Sequence, residues 1–257
     1  EGGWSYEVSA LDTGILSQAI SAYDAALILR HIAQLDTLDD NQLIAADVSG
    51  DGTASSTDAA NIGQWGVGLI TDFPSGEAWY FTPEAIAIDP LTQDTSMINF
   101  IGIAYGDVSG NWDNTNRSSA PYDVDENRSI FIETPEEYFI TLSEPVDTEI
   151  NGEDFNVYDL NANTIKGMLA FTFKFQLEGG AQDDIEFILS EDFINNLSFS
   201  NYHNNQFIIT SAGVYPIDEN NQSIGKILLN KSSSNEWGQL ILSYAEVNEE
   251  SATYDTQ

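Results

Sequence analysis

A run of residues from Asp47 to Asp58, Asp-Val-Ser-Gly-Asp-Gly-Thr-Ala-Ser-Ser-Thr-Asp, constrains the fold of this chain more than any other feature. A hard cation such as Ca²⁺ takes about six to eight oxygen ligands, and a twelve-residue loop supplies them from positions 1, 3, 5, 7, 9 and 12. The ligands at those positions are here Asp47, Ser49, Asp51, the carbonyl of Thr53, Ser55 (directly or through water) and Asp58. Gly52 stands where such a loop turns sharply. We therefore predict a calcium site in this continuous loop, against the alternative of an Asp- and Gly-rich surface turn.

The segment after the loop has helical spacing, with Ile62, Trp65 and Leu69 on one face. The loop departs from the usual EF-hand pattern by Ser at position 3 and Asp at position 12. With Asp at position 12 and a helical pattern after it, Asp47–Ile70 resembles a dockerin repeat, in which a loop ending in Asp runs into an amphipathic helix. The resemblance implies a protein partner of the cohesin or dockerin type, or copies of the chain itself. It also implies that Ser56 and Thr57 contact that partner.

A second, incomplete repeat precedes the first. Ile20–Ala33 resembles the back half of a dockerin repeat, but its expected front half has Ile15 at a ligand position. The missing half recurs later, because Asp107-Val-Ser-Gly-Asn111 nearly duplicates Asp47-Val-Ser-Gly-Asp51. We predict a split loop around a second Ca²⁺, formed by Asp107, Ser109 and Asn111 together with Ser21 and Asp24. The alternative is a degenerate first loop without metal and an unrelated turn at Gly106–Trp112.

The second half of the chain changes to strand patterns. Leu169, Phe171, Phe173, Phe175 and Leu177 alternate with smaller or polar residues, as in a half-buried strand. Further strands are predicted near 129–133, 137–142, 154–160, 185–189, 206–211, 224–230 and 238–247. Many short strands separated by turns indicate a β-sandwich. Residues 129–248 resemble a cohesin-like jelly roll, and a generic immunoglobulin-like or carbohydrate-binding sandwich is the alternative.

The predicted fold class is α+β and multidomain: a small helical EF-hand-like (dockerin) domain and an all-β jelly-roll or immunoglobulin-like sandwich. The predicted divisions are an orphan N-terminal strand (1–11), the dockerin-like domain (12–113), a polar linker (114–128) and the sandwich (129–257). The N-terminal strand has no obvious sheet partner. It is either the last strand of an upstream domain or an addition to the sheet edge of a neighbouring module or another molecule.

Composition narrows the function classes. The net charge of −35 disfavours nucleic acid as a partner, since phosphates repel such a surface. No apolar run approaches the ~20 residues of a membrane span. The chain has no cysteine and begins at Glu1, so we interpret it as a secreted, processed extracellular or cell-surface product.

The chemistry of the residues indicates no catalytic site. The only histidines, His31 and His203, have no second histidine at ligand spacing, and no nucleophile elbow or phosphate loop occurs. We predict a non-catalytic, calcium-stabilised interaction or assembly protein, with head-to-tail assembly into a fibre or lattice as its sharper form. The alternative is a carbohydrate-binding or accessory fragment of a larger secreted enzyme, with Trp237, Tyr202 and Tyr215 as candidate sugar-stacking residues.

Overall fold

A computed structural model describes residues 4–11, 16, 19–89, 98–112, 137–178, 185–231 and 239–254 of the chain. It contains three short helices near the N-terminus and a large two-sheet β-sandwich, which confirms the predicted fold class. The predicted linker, residues 114–128, and the predicted strand at 129–133 lie outside these ranges. The proposed domain boundaries therefore stay predictions. None of the helices in the described ranges is long and apolar enough to cross a membrane.

Each helix begins at a capping box, in which the N-cap side chain and the third helical side chain exchange hydrogen bonds with the main chain. Helix α1 (Ala22–Ile32) is capped by Ser21 and Asp24. Helix α2 (Asp40–Ala46) is capped by Asp39 and Gln42, and helix α3 (Ser56–Gly66) by Ser55 and Asp58. In α1 and α3 the capping residues are thus the ninth and twelfth positions of the two predicted loops. The side chains that start α1 and α3 are thus also predicted ligand positions.

Four short strands accompany the helices: β1 (Tyr6–Ser9), β2 (Trp79–Thr82), β3 (Ala85–Ile88) and β4 (Ile101–Ala104). The predicted orphan strand is corrected here, because β1 pairs antiparallel with β3, with Tyr6 opposite Ile88. The partner was missed because β3 is a four-residue Ala-Ile-Ala-Ile segment, too short to stand out by periodicity. Strand β2 pairs antiparallel with β4.

The sandwich is formed by eleven further strands. They are β5 (Phe139–Leu142), β6 (Val146–Ile150), β7 (Glu153–Ala162), β8 (Ala170–Glu178), β9 (Ile185–Leu189), β10 (Leu197–His203), β11 (Gln206–Ala212), β12 (Ser223–Asn230), β13 (Gln239–Val247), β14 (Glu250–Ser251) and β15 (Thr253–Tyr254). One sheet has the order β10-β11-β8-β13-β14. The other has the order β15-β5-β7-β12-β9, with β6 also pairing with β7. All pairs are antiparallel except β15 with β5.

The core of the sandwich contains the side chains predicted from the alternating strand. Phe171, Phe173 and Phe175 of β8 are fully buried between the sheets. Phe171 stacks on Phe173 at 4.7 Å and meets Phe193 edge-on at 5.4 Å. The polar residues after Val247 form the short strands β14 and β15 at the margins of the two sheets.

The helices pack directly on one sheet of the sandwich. Leu169, Ala170 and Ala212, from the β8 and β11 ends of that sheet, belong to the same buried cluster as the apolar face of α1 and α3. Arg30 of α1 is buried and donates from Nη1 to the carbonyl of Val214 at 3.0 Å. The helical unit, by which we mean the described residues from 16 to 112 that carry α1 to α3, thus shares part of its core with the sandwich.

Candidate metal-binding loops

The continuous loop is closed by its two terminal carboxylates. Asp47 accepts main-chain hydrogen bonds at Oδ1 from Gly50 (2.9 Å) and Asp51 (3.0 Å), and at Oδ2 from Gly52 (2.8 Å). Asp58 is fully buried and accepts from the main-chain N–H of Ser49 and of Ser55, both at 2.9 Å. The first and last ligand positions are therefore held in place by the loop itself.

The segment from Asp107 to Trp112 repeats this arrangement. Asp107 accepts main-chain hydrogen bonds at Oδ1 from Gly110 (2.8 Å) and Asn111 (3.0 Å), and at Oδ2 from Trp112 (3.0 Å). In each loop the position-3 hydroxyl, Ser49 or Ser109, donates to Oδ1 of the position-1 carboxylate at 3.3 Å. Each of these hydrogen bonds has a counterpart in the continuous loop, so Asp107–Trp112 has the conformation of the front half of that loop.

The second half of the split loop lies against the first. Asp24 is fully buried, accepts from the main-chain N–H of Ser109 at 2.9 Å, and accepts from the N–H of Ser21 at 2.7 Å. These two bonds match those that Asp58 accepts from Ser49 and Ser55. The structure thus brings Asp107, Ser109 and Asn111 together with Ser21 and Asp24, as an EF-hand-like loop of two separate segments.

Packing around Gly106 and Trp112 holds the late segment beside α1. Gly106 has φ +92°, and a Cβ there would lie 2.8 Å from the ring of Phe73 and 3.1 Å from Ile20, so the approach requires glycine. Its N–H donates to the carbonyl of Ala45 at 2.8 Å. At the other end, Trp112 meets Trp79 edge-on at 4.7 Å. Both ends of this half loop are therefore held by other residues of the helical unit.

Glu249, in the turn between β13 and β14 of the sandwich, also reaches the split loop. The hydroxyl of Ser21 donates to its Oε1 at 3.4 Å, across 228 positions of sequence. Sequence reasoning missed this residue. Glutamate at a turn position that favours glycine is a local sequence signal. Such a signal does not identify the distant loop that the carboxylate contacts.

The three carboxylates at the split loop are protonated more readily than usual. Burial, and then the charges of Glu249 and Asp107, raise the pKa of Asp24 well above its ordinary value. Burial also raises the pKa of Asp107, although its main-chain hydrogen bonds oppose the shift. Burial raises the pKa of Glu249 to about 7, the charges of Glu246 and Asp107 add to the rise, and the hydrogen bond from Ser21 opposes it. A bound cation reverses such shifts, because its positive charge favours the ionised carboxylates.

The donor set of the split loop fits calcium. It consists of carboxylate, hydroxyl and amide oxygens, the ligands that Ca²⁺ prefers. The Oδ1 atom of Asn111, at the fifth ligand position, is buried without a hydrogen-bond partner, whereas buried polar atoms are nearly always bonded. Among the residues that the structure describes, no group of three or more His, Asp or Glu side chains is already arranged to hold a metal ion. In both loops the carboxylates instead accept the main-chain hydrogen bonds described above.

The other candidate residues fall into two groups. Ser56 and Thr57 lie exposed in the first turn of α3, directly after the continuous loop. His31 accepts from the main-chain N–H of Leu38 at Nδ1 (3.2 Å), and the ring of His203 lies against Gly68, so both histidines have structural neighbours.

Of the candidate sugar-stacking residues, Tyr202 packs partly against the sandwich core and Tyr215 is exposed. Trp237 lies outside the described residues. The two that the structure describes therefore differ in their exposure.

Comparison with solved structures finds cohesin modules over the sandwich. A non-cellulosomal cohesin from the hyperthermophilic archaeon Archaeoglobus fulgidus is 11% identical, with 46% of this chain and 84% of that chain covered and a TM-score of 0.33. The second type II cohesin module of the adaptor ScaA scaffoldin of Acetivibrio cellulolyticus is 6% identical, with 48% and 90% covered and a TM-score of 0.31. The type I cohesin–dockerin complex Coh-OlpC–Doc435 of Clostridium thermocellum is also similar, at 9% identity, 46% and 87% coverage and a TM-score of 0.29.

The whole chain was compared with curated proteins, and it was also compared with models of protein families. No curated protein matches the chain. The model of the dockerin type I domain family matches residues 16–64, which include α1, α2, the whole continuous loop and most of α3. Asp58 at the end of the continuous loop lies in the first turn of α3, and Asp24 lies in the first turn of α1, as the resemblance to dockerin repeats implied. Residues 16–64 of this chain are therefore a dockerin type I domain.

Proposed function

We propose that this chain is a non-catalytic, calcium-stabilised extracellular module for protein–protein interaction and assembly. The observation that carries the proposal is the repeated hydrogen-bond pattern of the two loops, at the starts of α1 and α3 of a dockerin type I domain. Dockerin type I domains bind calcium and act as interaction modules rather than enzymes. Calcium near the millimolar concentrations found outside cells saturates even weak loops of this kind.

In this proposal Ca²⁺ holds both loops closed. The continuous loop would bind it through Asp47, Ser49, Asp51, Thr53, Ser55 and Asp58. The split loop would bind it through Asp107, Ser109, Asn111, Ser21 and Asp24. The ion supplies positive charge that offsets the repulsion among the buried carboxylates, so that binding and folding are coupled.

The proposed partner surface lies at the start of α3. Ser56 and Thr57 are exposed there, while farther along the same helix Gly63 packs on Phe199 of the sandwich. The sandwich thus covers one part of the helix and leaves the other part accessible. A cohesin- or dockerin-type protein is the partner that this surface fits.

Calcium titration of purified protein by calorimetry tests the metal part of the proposal. We expect two sites in the wild-type chain and one in either Asp47→Ala or Asp107→Ala. An unchanged stoichiometry in Asp107→Ala would show that the late segment forms no site. One remaining site in each single variant, and none in the double variant, would support two independent loops.

Light scattering with and without calcium tests assembly. Head-to-tail assembly requires the exposed start of α3 in one copy to pack on the sandwich of the next. We expect a mass that rises with concentration and returns to the monomer in EDTA. If the mass stays monomeric at all concentrations, assembly of copies is excluded, and Ser56→Ala/Thr57→Ala should then be compared with wild type for binding to isolated cohesin modules.

A further inference from the structure

The turn between β13 and β14 is built to hold one side chain in a fixed place. Its central residues, Asn248 and Glu249, have φ angles of 52° and 67°. The Asn248 amide ties the turn to the start of β8, with Oδ1 accepting from Leu169 (2.8 Å) and Ala170 (3.0 Å) and Nδ2 donating to Gly167 (2.9 Å). The position of the next residue is therefore set by the sandwich and does not depend on the helical unit.

Glycine is the residue that a turn with two positive φ angles favours at its second central position. The chain has glutamate at this position, although a non-glycine residue there is conformationally unfavourable. Nothing in the turn uses the carboxylate. It is instead directed to the split loop, where the hydroxyl of Ser21 donates to it.

The split loop is interrupted where the continuous loop is not. In the continuous loop the chain runs unbroken from position 5 to position 9, and the carbonyl of Thr53 occupies position 7. In the split loop the break falls between Trp112, at position 6, and Ala19, at position 7 when counted back from Asp24. A carboxylate from elsewhere in the molecule can fill a coordination position at such a break, because Ca²⁺ accepts six to eight oxygens in flexible geometry.

We propose that Glu249 is a ligand of the cation in the split loop, so that one ion is held jointly by the helical unit and the sandwich. The inference rests on the proposed function, since it assumes a cation at Asp24 and Asp107. The buried, unpartnered Oδ1 of Asn111 marks the same site independently of the three carboxylates. Calcium then has a second role: it fastens the dockerin domain to the sheet against which α1 packs.

The test compares Glu249→Gln with the wild-type chain and with Glu250→Gln, which removes the neighbouring exposed carboxylate. Glutamine keeps an oxygen that can accept from Ser21 but loses the charge. In Glu249→Gln, calorimetric titration should show the calcium affinity of the split loop lowered at least about tenfold, because ligand charge sets affinity in such loops. The affinity of the continuous loop should be unchanged. Glu250→Gln should bind as the wild type does.

Thermal unfolding gives a second readout that a merely structural residue would not produce. Without calcium, Glu249→Gln should unfold at a higher temperature than the wild type, because repulsion from Asp24 and Asp107 is removed. Saturating calcium should raise the melting temperature of Glu249→Gln by less than it raises that of the wild type. A variant that is less stable than wild type by the same amount in both conditions would overturn the proposal.

The outcomes separate the two proposals. If Asp107→Ala removes a site and Glu249→Gln binds two ions with wild-type affinities, the split loop binds calcium without Glu249, and only the present inference fails. If Asp107→Ala and Glu249→Gln both leave wild-type binding unchanged, the split loop binds no cation and both fail. If Glu249→Gln weakens calcium binding at the split loop and Glu250→Gln does not, both proposals are supported.

Discussion

The carboxylate of Asp24 accepts a hydrogen bond from the main-chain N–H of Ser109 at 2.9 Å, across 85 positions of sequence. The bond between Asp58 and Ser49 has the same length but spans nine positions. Both contacts join the main-chain N–H at position 3 of a loop to the carboxylate at position 12. One lies within a continuous segment, and the other joins two segments that are distant in sequence. In the second case the loop also closes the helical unit, since it fastens the segment after β4 to the start of α1.

Hydrogen exchange should detect this closure directly. In Asp24→Ala the main-chain N–H of Ser109 loses its acceptor, and residues 106–112 should exchange faster, while residues 48–56 keep wild-type protection. Amide exchange followed by mass spectrometry measures both segments in one experiment. The reason is that protection reports local opening, and local opening becomes easier when a buried carboxylate that closes the segment is removed.

Asp58→Ala provides the matched control, because Asp58 is equally buried and has the corresponding contacts in the continuous loop. In this variant the amides of residues 48–56 should exchange faster, and those of residues 106–112 should keep their wild-type protection. Equal loss of protection in both segments for either variant would mean that the helical unit opens as a whole, and would contradict two separately closed loops.

Calcium should raise the melting temperature of the chain, and magnesium should do so much less. A ligand that binds only the folded state stabilises it by about 2.7 kcal/mol per site at a free concentration of ~100 times its Kd. Magnesium is the control, because it demands near-ideal octahedral geometry that a flexible loop of this kind does not provide. Scanning calorimetry in EDTA, in magnesium and in calcium measures the difference, and equal shifts with both ions would indicate general charge screening.

Much of the helical unit could be predicted because its signals are local. Ser55 and Asp58 belong to one short motif, and the near-duplicate at Asp107 was enough to connect the late segment with Asp24. The alternating β8 strand was likewise evident, because its phenylalanines recur every second residue and are buried between two sheets. These inferences depend on residues close in sequence or on recurrence of the same pattern.

The features that were missed depend on where separate elements meet. The pairing of β1 with β3 joins two four-residue strands, each too short for a clear periodicity. Strand β10 has partly buried residues on both faces, so its sequence shows no clean alternation. The approach of Glu249 to Ser21 arises only because the sandwich packs against α1, and no local pattern in the chain encodes that packing.

Gly63 should be the most sensitive position in α3 for contact with the sandwich. A Cβ at Gly63 would lie 2.7 Å from ring atoms of Phe199, whereas a Cβ at Gly66 would meet Thr210 Cγ2 at 3.4 Å, an ordinary contact. Overpacking of this kind costs about 1–3 kcal/mol, more than the ~1 kcal/mol that alanine gains over glycine in a helix. We therefore expect Gly63→Ala to lower the free energy of unfolding and Gly66→Ala to leave it unchanged or raise it.

Chemical denaturation of both alanine variants tests this expectation. If Gly63→Ala is as stable as Gly66→Ala, then Phe199 moves aside without cost, and the helix does not rest tightly on β10. A larger substitution, Gly63→Leu, would then be needed to separate the helix from the sheet, and its failure to destabilise the chain would contradict the packing of the helical unit on the sandwich.

Asn248 should matter to stability and to calcium binding together. Asn248→Ala removes the three side-chain hydrogen bonds to the start of β8 and places alanine at a positive φ. At about 1 kcal/mol for each hydrogen bond, with a backbone cost of similar size, the free energy of unfolding should fall by roughly 2–4 kcal/mol. Because the turn then holds Glu249 less firmly, the affinity of the split loop for calcium should fall as well.

Asn204→Ala separates the two contributions. Asn204 has φ 50° in the turn between β10 and β11, and its side chain makes no hydrogen bond to any other described residue, so this variant has only the backbone cost of about 1 kcal/mol. It should leave calcium binding unchanged, since that turn lies far from the split loop in the strand order of the sheet. Equal destabilisation by both variants would mean that the hydrogen bonds of Asn248 contribute nothing. Equal calcium affinity in Asn248→Ala and wild type would mean that Glu249 reaches the split loop without the support of the turn.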